Sequence, residues 1–153
     1  MTDPISAPVV ILGWRERVAL PQLGIRLLKA KLDTGARSSS LHVDRVEEFQ
    51  RDGATWLRFS MHPLRHQPLA ISCEAPALDR RTVTDTSGRR SMRWFIRSQV
   101  QFADCCIDVD MNLTDRRHML FPLLLGRTAL RGRFAVDPAR SYTLPSPAAA
   151  FPS

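Results

Sequence analysis

Period-two alternation of apolar and polar residues is the strongest constraint on this chain, because only extended strands turn every second side chain to one face. The run Cys106–Leu113 shows it most cleanly: Ile107, Val109, Met111 and Leu113 alternate with Asp108, Asp110 and Asn112. Ile25–Leu32 places Leu28, Ala30 and Leu32 on one side and Lys29 and Lys31 on the other. Trp56–Met61 gathers Leu57, Phe59 and Met61. Met92–Phe102 sets Trp94, Ile96, Val100 and Phe102 against Arg93, Arg97, Gln99 and Gln101, with Phe95 joining the polar face. Shorter strand signals are Val9–Leu12, ending at Gly13, and Arg17–Leu20, stopped by Pro21. Helical signals are brief, over Val43–Gln50 and Gly126–Arg131. Many short strands separated by turn residues predict an all-β domain, closed or sandwich-like, with one or two short helices.

At 153 residues the chain has the length of one domain with a real core. No apolar run is long enough for a membrane-spanning helix. The start, Met1-Thr2-Asp3-Pro4, lacks a basic region followed by an apolar one, so no secretory signal is read. Cys73, Cys105 and Cys106 are odd in number, which is no disulfide framework and fits a reducing, cytoplasmic setting. No zinc-ligand spacing occurs, and Pro63 and Pro68 argue against a helix that would align His62 with His66; no metal and no cofactor is expected. The formal charge of +7 gathers in Arg80, Arg81, Arg89, Arg90, Arg93 and Arg97, with Arg116 and Arg117 beyond. Such charge favours acidic partners, or is simply a solvated surface.

The strand Ile25–Leu32 runs directly into Asp33-Thr34-Gly35-Ala36. An Asp at a strand end followed by Thr-Gly is the active-site signature of aspartic peptidases. Their chemistry uses two carboxyl groups held so close that they share one proton and titrate as a unit. The ionised member takes a proton from the water that attacks the peptide carbonyl; the protonated member hydrogen-bonds the carbonyl oxygen and later returns a proton to the leaving nitrogen. Gly35 suits a tight turn, Thr34 can anchor it, and Ala36 is small enough for a crowded site. The same four residues are also consistent with an ordinary turn at a strand end. Downstream, Leu123-Leu124-Leu125-Gly126-Arg127 is the hydrophobic-hydrophobic-Gly run that accompanies such a turn, or else a buried strand capped by glycine.

The tetrapeptide occurs once. One carboxylate per chain makes a two-fold homodimer the economical arrangement, with one Asp33 from each copy near the axis. Thr86-Ser87-Gly88 lies between strand-like stretches and reads as a hairpin tip, which in a peptidase would fold over the substrate as a flap. Asp85 before it is not the second catalytic acid, since its Gly stands one place too late and no apolar strand end precedes it.

Several segments resemble retropepsin-like aspartic peptidases, and more closely the bacterial family labelled ATP-dependent zinc protease. They are Gly13-Trp14 with Leu20-Pro21, Ala30 through His42, Leu113 through Arg116, Pro122 through Arg127, Val136-Asp137 and Ser141-Tyr142. The resemblance implies a single-lobe acid-protease closed barrel over 8–142; a flexible 1–7 is expected before it, and the Pro/Ala-rich composition of 143–153 predicts a mobile tail after it. It implies Asp33 as general acid and base, the turn Thr34, Gly35 and Ala36, and support beneath from Leu124, Leu125 and Gly126. The zinc and ATP parts of the label find no matching motif. Members are associated with ATP-grasp glutamate ligases, which implies acidic peptide substrates and a functional link to such a ligase. Viral retropepsins carry an acidic residue where this chain has Arg37, paired with the Arg corresponding to Arg127. Arg37 and Arg127 are therefore candidates for binding a substrate carboxylate; alternatively each has its own acidic partner, such as Asp115 or Asp137.

Two other classes compete. One is a peptide-binding module of the same fold without catalysis. The other is a nucleic-acid binder using 80–97, disfavoured because only Trp94 and Phe95 could stack there and Trp94 reads as core. A cysteine hydrolase built on Cys105 or Cys106 lacks a His close by in sequence.

Overall fold

The alternating runs become strands whose apolar faces meet. The computed structural model of the chain describes residues 9–64, 69–85, 87–115 and 120–147. In chain order the elements are β1 (Val10–Gly13), β2 (Arg15–Leu20), β3 (Ile25–Leu32), β4 (Ser39–His42), β5 (Arg45–Arg51), β6 (Ala54–Met61), β7 (Ile71–Pro76) and β8 (Asp79–Thr84). They continue with β9 (Arg90–Phe102), β10 (Cys105–Thr114), β11 (Leu123–Leu125), the single-turn helix α1 (Arg127–Leu130) and β12 (Phe134–Asp137). A 3-10 turn over Pro21–Leu23 joins β2 to β3.

Six strands close into a barrel in the order β10-β4-β11-β3-β2-β9, and the β9–β10 pairing seals it. Closure leaves no free strand edge along those six, the usual route by which a small β domain avoids edge-to-edge association. The expected faces fill its interior: Leu28 and Ala30 from β3, Ile96, Val100 and Phe102 from β9, and Val109 and Met111 from β10 are all buried. Strand makes up 61% and helix 5% of the described residues, so the domain is all-β as its patterning predicts, and its closed barrel is the retropepsin-like one that the resemblance implies.

The expectation of a helix over Val43–Gln50 is wrong. Residues 45–51 form β5, paired antiparallel with β6 from Arg45↔Ser60 to Arg51↔Ala54. The cause lies just beyond: Asp52 and Gly53 take φ of 52° and 78°, the two left-handed residues of a type I′ hairpin turn. Phe49 then stands beside Trp56, ring centroids 6.5 Å apart. Glu74 on β7 accepts from Arg51 at 2.9 Å and Arg58 at 2.8 Å. Those two hydrogen bonds, Arg51 first, hold its carboxyl below the usual range. The other face of this β5-β6-β7 sheet sends Leu57, Phe59, Met61, Cys73 and Ala75 into the barrel's apolar cluster.

Glu16 is fully buried, and its carboxyl oxygens accept four hydrogen bonds. The donors are Gly13 N at 2.7 Å, Thr143 N at 3.1 Å, the Thr143 hydroxyl at 2.7 Å and Leu144 N at 3.2 Å. One side chain on β2 thus ties the end of β1 to the chain beyond β12. The tail expected to be mobile from 143 is therefore anchored at its first two residues. Residues 148–153 and the N-terminal 1–7 lie outside the described residues. Gly13 permits the junction: a Cβ there would stand 2.5 Å from the Arg140 carbonyl oxygen. Among the described residues no helix is long and apolar enough to cross a membrane.

Replacing Glu16 with Ala would strand buried backbone donors, and we expect a loss of about 2–4 kcal/mol in urea unfolding with no change in the folded-state β signal. Cysteine accessibility supplies a second check. Cys73 is buried with its thiol donating to the Leu23 carbonyl at 3.5 Å, and burial pushes its pKa up to about 11. Cys105 and Cys106 are exposed. A neutral alkylating reagent at pH 8 should label those two rapidly and Cys73 only after unfolding. Folding favours the protonated Cys73 thiol, so its contribution to stability is intact below the ordinary thiol value of 9.0 and fades as pH rises toward about 11.

Candidate active site

Strand β3 delivers Asp33 to the barrel's end, where neighbouring strands hold the turn in place. The Asp33 N–H donates to the Leu125 carbonyl at 2.8 Å. This bond continues the parallel β3–β11 ladder that pairs Leu32 with Leu125. On its other side β11 runs antiparallel to β4, pairing Leu123 with Leu41 and Leu124 with Ser40. Strand β11 is therefore threaded between the strands that enter and leave the Asp33 turn. Leu123 and Leu125 are buried, while Leu124 is half-buried.

The turn is closed by its own atoms. Ala36 N donates to the Asp33 carbonyl at 3.2 Å, and Gly35 N donates to Asp33 Oδ1 at 3.0 Å. Asp33 is half-buried, with Thr34 and Gly35 exposed beside it. The chain after Gly126 locks the turn from below: Arg127 N donates to the Ala36 carbonyl at 2.8 Å, and the Thr128 hydroxyl to the Arg37 carbonyl at 2.8 Å. Gly126 allows this contact, because a Cβ there would stand 2.6 Å from the Ser38 carbonyl oxygen and 2.9 Å from that of Ala36. Its N–H donates to the buried Ser39 hydroxyl at 3.0 Å.

Asn112 extends this support. It is fully buried on β10, and its amide donates to the Ser39 carbonyl at 2.9 Å. Its Oδ1 accepts from the Ser40 hydroxyl and from Arg93 on β9, each at 3.1 Å. Sequence alternation groups Asn112 with Asp108 and Asp110 on a polar face, and gives no sign that β4 covers it. Ser39 is marked in the sequence only by its closeness to the turn.

The two arginines part company. Arg127 donates to the Gly35 carbonyl at 3.0 Å, so its guanidinium braces the turn. Arg37 is exposed and has no acidic partner among the described residues. Of the alternative partners, Asp137 bonds Arg140 at 3.1 Å instead.

The hairpin between β8 and β9 is present, with Thr84 opposite Arg90. Thr86 lies outside the described residues, as do Arg116 and Arg117. Asp85 organises the tip: its Oδ1 accepts from Ser87 N at 2.9 Å, the Ser87 hydroxyl at 2.6 Å and Arg89 N at 2.9 Å, and Gly88 turns with φ 86°. A groove of about 430 Å³ separates this hairpin from the start of β5 and the end of β10. Met92 and Trp94 form part of one wall and Val43 and Val46 part of the other; Asp33 does not line it.

The Arg-rich stretch is largely engaged within the sheet. Arg97 grips Asp110 at 2.7 and 3.3 Å, and this pairing holds its pKa above the usual guanidinium value. Arg81 bonds Asp79 at 2.8 Å and lies over Phe95, and Arg80 lies over Trp94. Cys105 and Cys106 start β10, seven and six residues before Asn112, so about 23 and 20 Å of extended strand separate them from it. Among the described residues no group of three or more His, Cys, Asp or Glu side chains converges to hold a metal.

This fold recurs in a known protein. A crystal structure of a protein of unknown function from Legionella pneumophila superposes with a TM-score of 0.74 at 32% identity, covering 88% of this chain and 97% of that one. A probable alpha-L-glutamate ligase of Desulfotalea psychrophila is 38% identical over 135 residues, 88% of this chain and 29% of the relative. Another, from Parasynechococcus marenigrum, is 40% identical over 136 residues, again 88% of this chain and 29% of the relative. The chain thus spans under a third of the length of the curated relatives it matches. With the RimB-like family model, described as retropepsin-like aspartic endopeptidase RimB, matching residues 11–147, the chain belongs to that family.

Proposed function

We propose that this protein is an aspartic endopeptidase whose reaction centre forms when two copies bring their Asp33 side chains together. The observation that carries the reading is the locked turn: Asp33 is held at a strand end by the Leu125 carbonyl, over a glycine that admits no side chain. A carboxylate positioned this rigidly, yet half-exposed, is suited to act on a bound water rather than to stabilise the fold. With one such turn per chain, a two-fold axis beside it supplies the second carboxyl group. One Asp33 then accepts a proton from water as the oxygen attacks the peptide carbonyl. The other, protonated, donates a hydrogen bond to the carbonyl oxygen, and a proton passes to the departing amine. The hairpin with Ser87 and Gly88 at its tip serves as a flap over the substrate.

Acidic, glutamate-rich polypeptides are the proposed substrates. The formal charge of +7 favours them, and the matching relatives are named as glutamate ligases. A functional association with a ligase that adds glutamate is part of the same reading: one activity would lengthen an acidic tail and the other cut it. The competing nucleic-acid reading loses support because Arg81 and Arg97 are paired within the sheet.

Replacing Asp33 with Asn should lower peptide hydrolysis at least ~100-fold, while sedimentation shows the dimer unchanged. Full turnover by a strictly monomeric protein would sink the proposal, and a dimer that binds peptides but never cuts them would favour the binding-module reading. Arg37, which has no acidic partner among the described residues, is proposed to receive a substrate carboxylate. Arg37→Ala should therefore reduce kcat/KM for acidic peptides more than for neutral ones. Equal losses on both would remove that role.

A further inference from the structure

We propose that the outward face of β2 and β3 is an exosite for an acidic stretch of polypeptide; the assignment rests on the peptidase reading above. The β2–β3 register sets Arg15 opposite Lys31 and Arg17 opposite Lys29. Like charges directly across an antiparallel pair destabilise it. None of these four has an acidic partner among the described residues. An aromatic ring stands between them instead. Tyr142 has Arg17 at 4.1 Å, Arg15 at 4.9 Å and Lys29 at 5.8 Å from its centroid.

Tyr142 is held there against its own preference. Its φ is 53°, a left-handed conformation uncommon for a bulky residue. Its N–H donates to the Arg15 carbonyl at 2.9 Å, and the next two residues are fastened to Glu16. Glu16 lies on the opposite face of β2, paired with the buried Ala30. The inner carboxyl group thus fixes the ring that steadies the outer cations, while leaving their charge uncompensated.

The spacing selects the ligand. Residues two apart on a strand are separated by about 6.8 Å, the same interval that separates alternate side chains of any extended polypeptide. Carboxylates at alternate positions of a bound chain fall in step with the cations. The array also leads to the reaction centre: Lys31 and Lys29 stand two and four residues before Asp33, about 7 and 13 Å along the strand. A nucleic acid would need an open aromatic face for stacking, and here cationic side chains gather on the Tyr142 ring.

The test is fluorescence anisotropy of labelled hexaglutamate on the full-length Asp33→Asn protein, which removes hydrolysis from the readout. Hexaglutamine and a single-stranded oligonucleotide of equal charge serve as comparison probes. Hexaglutamate should bind more tightly than either, with an affinity that falls as salt rises. Arg17→Gln with Lys29→Gln should weaken it at least ~5-fold, in line with two screened charge contacts. Arg17→Glu with Lys29→Glu should instead gain affinity for hexalysine, a result misfolding cannot produce. Unchanged hexaglutamate binding in both double variants overturns the exosite, as does tighter binding of the oligonucleotide that those changes abolish. If the wild type cuts no peptide at all, the peptidase reading fails separately, whatever the anisotropy shows.

Discussion

A single backbone hydrogen bond, from the Asp33 N–H to the Leu125 carbonyl, is the point on which this structure turns. It exists because β11 is inserted between β3 and β4, parallel to one and antiparallel to the other. That insertion brings a segment far along the chain under the turn and stacks Gly126 against the carbonyls of Ala36 and Ser38. Without it, Asp33 would be an acidic residue at a frayed strand end. With it, the carboxylate has a fixed position and a solvent-facing side, the combination that general acid–base chemistry requires.

The same economy recurs with buried polar groups. Glu16 and Asn112 are fully enclosed, yet Glu16 is ringed by donors and Asn112 by donors and an acceptor, so the usual cost of burying polar atoms is offset. Both connect parts of the chain remote in sequence. Glu16 joins the first strand to the segment beyond the last, and Asn112 joins the long β9–β10 hairpin to the strand leaving the Asp33 turn. Apolar packing makes the barrel close; these polar clamps decide how its ends are finished.

Much of the barrel was legible because its strands alternate strictly. The faces of β3 and β10 could be read residue by residue, and Asp33-Thr34-Gly35 marked the site. The misreadings have local causes. Val43–Gln50 lacks strict alternation, as an edge strand with only Val46 packed on the core need not alternate. The decisive signal was the Asp52-Gly53 turn, which forces a hairpin whatever precedes it. Asn112 was hidden by a strand pattern that says which side a residue faces but not what covers that side. Glu16 was illegible for a similar reason: its partners, Thr143 and Leu144, lie at the far end of the chain, in a stretch whose composition suggested disorder. The fate of Arg37 and Arg127 also needed coordinates, since only they show one guanidinium turned onto a carbonyl and the other left open.

The clamp at Asn112 carries a mechanical corollary. Arg93, low on the hairpin arm, is fastened through Asn112 and Ser39 to the glycine beneath the aspartate. The lower part of that arm is therefore braced against the residues beneath Asp33. Nearer the tip, the Asp85 carboxylate accepts from the Ser87 and Arg89 N–H groups. A continuous run of polar contacts thus links one arm of this hairpin to the residues beneath Asp33, so a change made at Arg93 would be felt under the aspartate.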